Sequence, residues 1–344
     1  MTRFSWGQLC GGIALAIVAG LGAIGGQQAQ ADCAWCISEL YFNPPGKPDA
    51  TKALEYVELF GAANTSWAGK YFVLLENEGA NASKVEGIIN LGGITSGDNG
   101  YLLFLMYNNP WQDADDVEID EDALVFVGGS SGGFEGGDIS SSWQGSDFDL
   151  ENSGFTAMIV DTHGDSAPVI GNQLDTDLDG DLDLASNPNW DAWEILDSVG
   201  VVGETDDLPG AHLYGTVNFG PGNLSGGGTS TGTYRNVQAI TSTFDEIEYV
   251  ARHSNDTGYT GDDWYAGNLT DGDGDFDEDL LNYSIGGDGS HVEYVNIGGT
   301  TGSYAYGDDV TVTLGTTNIA PEPTSLAMVG LGLLGLLLGR RNRR

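Results

Sequence analysis

Apolar residues along the first third of the chain come in short runs closed by glycine, proline, asparagine or aspartate. Ile37-Ser-Glu-Leu-Tyr-Phe42 runs into the turn-rich Asn43-Pro-Pro-Gly-Lys-Pro-Asp49, and Ala53-Leu-Glu-Tyr-Val-Glu-Leu-Phe60 stops at Gly61. Runs at 71–75, 87–91, 101–107 and 123–127 repeat the theme at the close spacing of an all-β fold. At period two, Ala53, Glu55, Val57 and Leu59 share one strand face, and Leu54, Tyr56, Glu58 and Phe60 share the other. Each face places an acid among apolar neighbours, which predicts a strand covered on both sides, as inside a sandwich. Later runs at 155–160, 193–202, 244–251 and 291–297 either close the same sandwich or build a second sheet, while 128–137 and 220–232 read as flexible Gly/Ser/Thr loops.

The two ends follow a different pattern. Met1-Thr-Arg3, an apolar stretch over 11–26 and the small-x-small site Ala29-Gln-Ala31 predict a secretory signal peptide cleaved after Ala31. The competing reading, a first membrane helix, suits a longer run with less glycine. At the other end Pro321-Glu322-Pro323 leads into an apolar segment over 325–339, followed by Arg340, Arg341, Arg343 and Arg344. An apolar helix of that length dissolves in a bilayer, and the arginines hold its end in the cytoplasm, leaving the body outside. These three parts in order resemble the PEP-CTERM sorting signal of Gram-negative, exopolysaccharide-producing bacteria. The resemblance implies an inner-membrane-anchored precursor, processing by an exosortase, and delivery to the cell surface or extracellular matrix. A plain tail anchor without processing is the alternative.

A second resemblance lies in the body. Ile37-Ser-Glu-Leu-Tyr-Phe-Asn-Pro-Pro-Gly46, Leu54-Glu-Tyr-Val-Glu-Leu59 and Ala68-Gly-Lys-Tyr-Phe-Val-Leu74 resemble the opening of a lamin-tail domain. That implies an immunoglobulin-like β-sandwich used for attachment. The acidic, Gly-rich stretch over 129–240 is far longer than the inter-strand loops of that family and reads as an insertion. The expected organisation is therefore a signal peptide at 1–31, a lamin-tail-like sandwich at 32–255, an acidic loop with additional strands at 256–320, and the sorting signal with one transmembrane helix at 321–344.

Charge sharpens this picture. Acids outnumber bases 51 to 11 and the formal net charge is −40, which makes nucleic acid an improbable partner. Between residues 85 and 320 the only cations are Arg235 and Arg252, so bound metal or dissolved salt must screen the surface. The run Asp175-Thr-Asp177-Leu-Asp179-Gly180-Asp181-Leu-Asp183 supplies carboxylates at alternate positions and glycine at the sixth, the logic of an EF-hand-type calcium loop. Ser186 stands where the bidentate glutamate of such a loop belongs, and an acidic solvated loop is the bland alternative. Asp271, Asp273 and Asp275 form a weaker calcium candidate, with Phe276 in the glycine position. Cys33 and Cys36, just past the cleavage site, are expected to pair as a disulfide in an oxidising compartment; free thiols and metal or redox work are the alternatives.

Two glycine fingerprints, Gly20-Leu-Gly22-Ala-Ile-Gly25 and Gly330-Leu-Gly332-Leu-Leu-Gly335, lie inside the targeting segments and carry no dinucleotide-binding meaning. His163, His212, His253 and His291 lack metal-pair spacing and read as isolated surface residues. Trp111, Trp143, Trp190, Trp193 and Trp264 serve either the core or stacking on sugars. The whole reads as a non-enzymatic surface or matrix protein, adhering to or organising exopolysaccharide through calcium-stabilised loops. A secreted polymer-degrading hydrolase and a purely structural, salt-adapted protein are the rivals.

Overall fold

The computed structural model describes residues 34–42, 55–106, 119–129, 143–145, 150, 154–202, 210–220, 249–252, 263–267, 269–270, 284–285, 292–295, 301–304 and 314–315. In chain order the strands are β1 (Trp35–Tyr41), β2 (Tyr56–Gly61), β3 (Lys70–Glu76), β4 (Val85–Asn90), β5 (Tyr101–Leu105) and β6 (Leu124–Val127). There follow β7 (Trp143–Gly145), β8 (Gly154–Asp161), β9 (Glu194–Val202), β10 (Val217–Phe219), β11 (Tyr249–Arg252) and β12 (Trp264–Gly267). Two short hairpins, β13 (Leu269–Thr270) with β14 (Ser284–Ile285) and β15 (Val292–Val295) with β16 (Thr301–Tyr304), complete the described elements.

The strands sort into two six-stranded sheets, in the orders β12-β11-β1-β2-β5-β6 and β10-β9-β8-β3-β4-β7. Neighbours are antiparallel except β5–β6 and β9–β10. Alternation along each strand sends one set of side chains into a shared core. Ile37, Val57, Leu59, Phe104 and Val250 of the first sheet meet Phe72, Leu74, Phe155, Ile159 and Val201 of the second in one buried cluster. That is the arrangement of a β-sandwich. Phe42 and Phe155 lock edge-to-face across it with centroids 5.0 Å apart.

Both outer faces are covered as well. In β2, Val57 and Leu59 point into the sandwich, while Tyr56 and Glu58 face the other way and are equally buried. Leu314 and Gly315 pack there: the Gly315 N–H donates to Glu58 Oε2 at 2.5 Å, and Asn99 Nδ2 donates to the Gly315 carbonyl at 2.7 Å. Gly315 has φ +75°, and a Cβ there would sit 2.5 Å from the Ala123 Cβ, so glycine is required.

The stretch over 129–240, expected as an insertion carrying runs that close the sandwich or build a second sheet, takes the second course. That stretch supplies β7, β8, β9 and β10, four of the six strands of the second sheet, because its apolar runs at 155–160 and 193–202 pair directly with each other and with β3. The lining of the second sheet's outer face is also drawn from it. Val73, Leu75, Val85, Ile88, Met158 and Val160 are covered by Leu174, Trp190 and Trp193 of the 162–193 connection, making a third layer and a second core.

Candidate metal centre

The 162–193 connection owes its shape to what it must cover. Leu174 drops into the second core, and around it the backbone runs beside the start of β4. The Leu174 N–H donates to the Ser83 carbonyl at 3.1 Å, the Asp175 N–H to Ser83 Oγ at 2.8 Å, and the Val85 N–H to the Asn172 carbonyl at 2.8 Å. Further along, Trp190 and Trp193 pack against each other with centroids 5.8 Å apart, and the Trp193 indole N–H donates to the Ser166 carbonyl at 2.9 Å. Burying those two rings draws the intervening acidic run tightly against the sheet.

Within the run, the backbone folds back on itself by hydrogen bonds to its own carboxylates. The Gly180 N–H donates to Asp175 Oδ2 at 3.0 Å, the Asp181 N–H to Asp179 Oδ1 at 2.9 Å, and the Thr176 N–H to Asp183 Oδ2 at 2.8 Å. Gly180, the sixth residue of the run, has φ +92°, the left-handed turn that the spacing anticipates. As a result Asp175, Asp177 and Asp183 each bring one carboxylate oxygen to within 4.8 Å of the other two. The sequence pattern offered five acids, and the fold converges three; Asp179 and Asp181 lie outside that group with their side chains exposed.

The three acids differ in environment. Asp175 is fully buried, Asp183 is half-buried and Asp177 is exposed. Asp175 Oδ2 accepts from Gly180 and from the Tyr214 hydroxyl at 3.0 Å, whereas Asp175 Oδ1 is buried with no hydrogen-bond partner. An unpaired buried carboxylate oxygen costs about 1–3 kcal/mol or more. A hard cation among three carboxylates is the chemistry that satisfies it, so the residues fit an oxygen-seeking divalent ion. The neighbouring Asp179 charge pushes Asp177 above its ordinary carboxylate value, while the Thr176 hydroxyl and N–H hold Asp183 below its own. Burial and then the Asp175 charge raise the Tyr214 hydroxyl well above its ordinary range, so it stays protonated and donates.

Tyr214 and Ser83 were not legible as partners of this loop. They sit 39 and 92 residues away in the chain from Asp175, and no local pattern links them. Of the other sequence expectations, Cys36 is disulfide-bonded and buried in β1, while Cys33 lies outside the described residues. His212 is buried, a correction to its reading as a surface residue: its N–H donates to the Asn77 carbonyl at 2.7 Å, in line with the Glu78–Ala211 bridge. His163 is exposed beside Glu194, at 2.9 Å. Trp190, Trp193 and Trp264 are core residues. Ala31, Asp271, Asp273, Asp275, Pro321, Glu322, Pro323, Arg340 and Arg341 lie outside the described residues. No helix among the described residues is long and apolar enough to cross a membrane.

Comparison with known proteins bears on the C-terminal segment. Residues 320–344 match the PEP-CTERM protein-sorting motif. That motif marks an exported protein whose precursor is transiently anchored in the membrane and sorted to the surface by an exosortase. No curated protein and no solved structure matches the chain.

Proposed function

We propose that this exosortase substrate is a non-enzymatic surface or matrix protein of a Gram-negative bacterium, whose sandwich acts as a lamin-tail-type attachment domain for exopolysaccharide. In this reading calcium occupies the Asp175–Asp177–Asp183 group and sets the acidic loop. The single observation that carries it is the buried, partnerless oxygen of Asp175, a carboxylate that converges with Asp177 and Asp183, on a chain bearing the PEP-CTERM motif. A signal peptide ending at Ala31 and a transmembrane helix over 325–339 complete the export route. The Cys33–Cys36 disulfide belongs with the oxidising compartment that this route reaches.

The hydrolase alternative gains nothing from the Glu39–Glu58 pair. Glu39 and Glu58 face each other across β1 and β2, but both are fully buried and Gly315 closes over Glu58, leaving no approach for a polymer. The test is cellular. Producing cells are fractionated with and without a chelator, and surface protein and retained exopolysaccharide are measured. The expected result is surface-located protein whose loss, by gene deletion or by calcium removal, sheds polysaccharide into the medium. Cytosolic protein with both termini intact, or retention indifferent to the deletion, would overturn the reading.

A further inference from the structure

Beside the metal loop lies a cleft of about 310 Å³ that none of the foregoing uses. One wall is the loop itself, through Gly180, Asp181, Leu182 and Leu184; the other is Ile195 and Ser198 of β9 with Tyr214 and Thr216 ahead of β10. From this geometry we infer that the cleft is a sugar subsite, taking one neutral residue of a polysaccharide, and that its affinity is coupled to the metal. The inference rests on the calcium and polysaccharide reading above and gives it a location.

The volume falls at the lower end of the range for small-ligand sites, which suits one ring and excludes a long polymer segment. Its lining has the composition that sugar rings require. Leu182, Leu184 and Ile195 offer apolar surface to the C–H faces of a ring, and Tyr214 offers an aromatic edge or face. The polar groups are hydroxyls held in place: Ser198 Oγ and Thr216 Oγ1 lie 3.0 Å apart, and the Thr216 N–H donates to Ser198 Oγ at 2.9 Å. Each hydroxyl has one donor and two acceptor positions, so the pair retains capacity for a ligand.

Charge selects the class. The loop wall carries Asp181, the run behind it carries four further aspartates, and none of the residues lining the cleft is cationic. Anionic sugars are repelled by this field, and neutral sugars are not. Coupling to the metal follows from two residues shared between the sites. Tyr214 donates to Asp175, the buried member of the metal group, and Gly180 donates to the same carboxylate oxygen while lining the cleft. An ion that fixes Asp175 therefore fixes both walls. Such coupling is reciprocal, so the sugar must tighten calcium by the factor by which calcium tightens the sugar.

The test uses the full-length chain in detergent, titrated calorimetrically with neutral tetrasaccharides of glucose, galactose and mannose. An oligogalacturonate and a chitosan oligomer serve as anionic and cationic controls, and calcium affinity is measured in parallel. At least one neutral tetrasaccharide is expected to bind, with affinity falling at least about fivefold on chelation. Thr216→Val should weaken it about tenfold, with the calcium affinity measured without sugar unchanged. Leu182→Trp, which fills the cleft without removing a hydrogen bond, should weaken sugar binding by a similar factor. Calcium binding accompanied by no neutral-sugar binding, by preference for the anionic control, or by indifference to both variants, would overturn the subsite while leaving the calcium reading standing; chitosan binding indifferent to both variants measures only the attraction of a cation to the acidic surface. Absence of calcium binding would overturn both.

Discussion

Asp175 is where local sequence and distant structure meet. Its place in the run supplies the carboxylate, but its burial comes from Leu174 entering the second core and from Ser83 and Tyr214 closing around it. Asp175→Asn keeps the shape and removes the charge. In thermal melts of the wild type, saturating calcium should add about 2.7 kcal/mol at a hundredfold excess over its dissociation constant, and the variant should lose that rise. Chelation at fixed ionic strength that leaves the wild-type Tm unchanged would refute calcium and favour salt screening. Glu58 is a second residue whose behaviour only the fold creates. Burial, and then the Glu39 charge, raise its pKa well above the ordinary 4.5. The folded chain thus holds this proton to a higher pH than the unfolded chain does. Its contribution to stability is complete below the ordinary glutamate range and is lost as pH rises through the raised value. Glu58→Gln, neutral at every pH, should flatten that decline in a series of melts and raise stability at neutral pH. A steeper decline in the variant would contradict the assignment.

At the scale of elements, the strands were readable and their partners were not. Short apolar runs bounded by turn residues placed β1 to β6, β8, β9, β11 and β15, because period two and turn residues are local signals. β7, β10 and β12 went unseen, being short strands that exist only through the neighbours they pair with. The 162–193 connection carried too many acids to read as a packed layer; Leu174, Trp190 and Trp193, spaced without period along it, do the covering. If that layer is held by those rings, Trp193→Ala should cost about 3–5 kcal/mol in chemical denaturation. If calcium holds its acidic turn, limited proteolysis in chelator should cut within 176–183 well before the sandwich strands. Cleavage in the strands at the same rate would show that the layer does not open separately.

At the scale of the whole molecule, a buried ion pair joins the two sheets. Arg252 of β11 donates through Nη2 to both carboxylate oxygens of Asp197 of β9 at 2.8 Å, its Nε donates to the Ile37 carbonyl at 2.9 Å, and its guanidinium lies 4.2 Å from the Trp264 ring centroid. Asp197 Oδ2 also accepts from the Ile37 N–H at 2.8 Å. Removing the arginine leaves a buried carboxylate without its counter-charge, so Arg252→Met should destabilise by about 3–5 kcal/mol in equilibrium unfolding, and an effect below about 1 kcal/mol would mean the pair is not what joins the sheets. By itself the sequence determined the β class, the alternating-acid loop with its glycine, and the C-terminal sorting motif, since each is written in residues adjacent along the chain. Tertiary structure alone decided that the acidic stretch builds most of the second sheet, that three of five aspartates converge, and that Lys70 and Arg252 are buried. Those outcomes depend on which distant surfaces must be buried together, and burial is a property of the assembled chain.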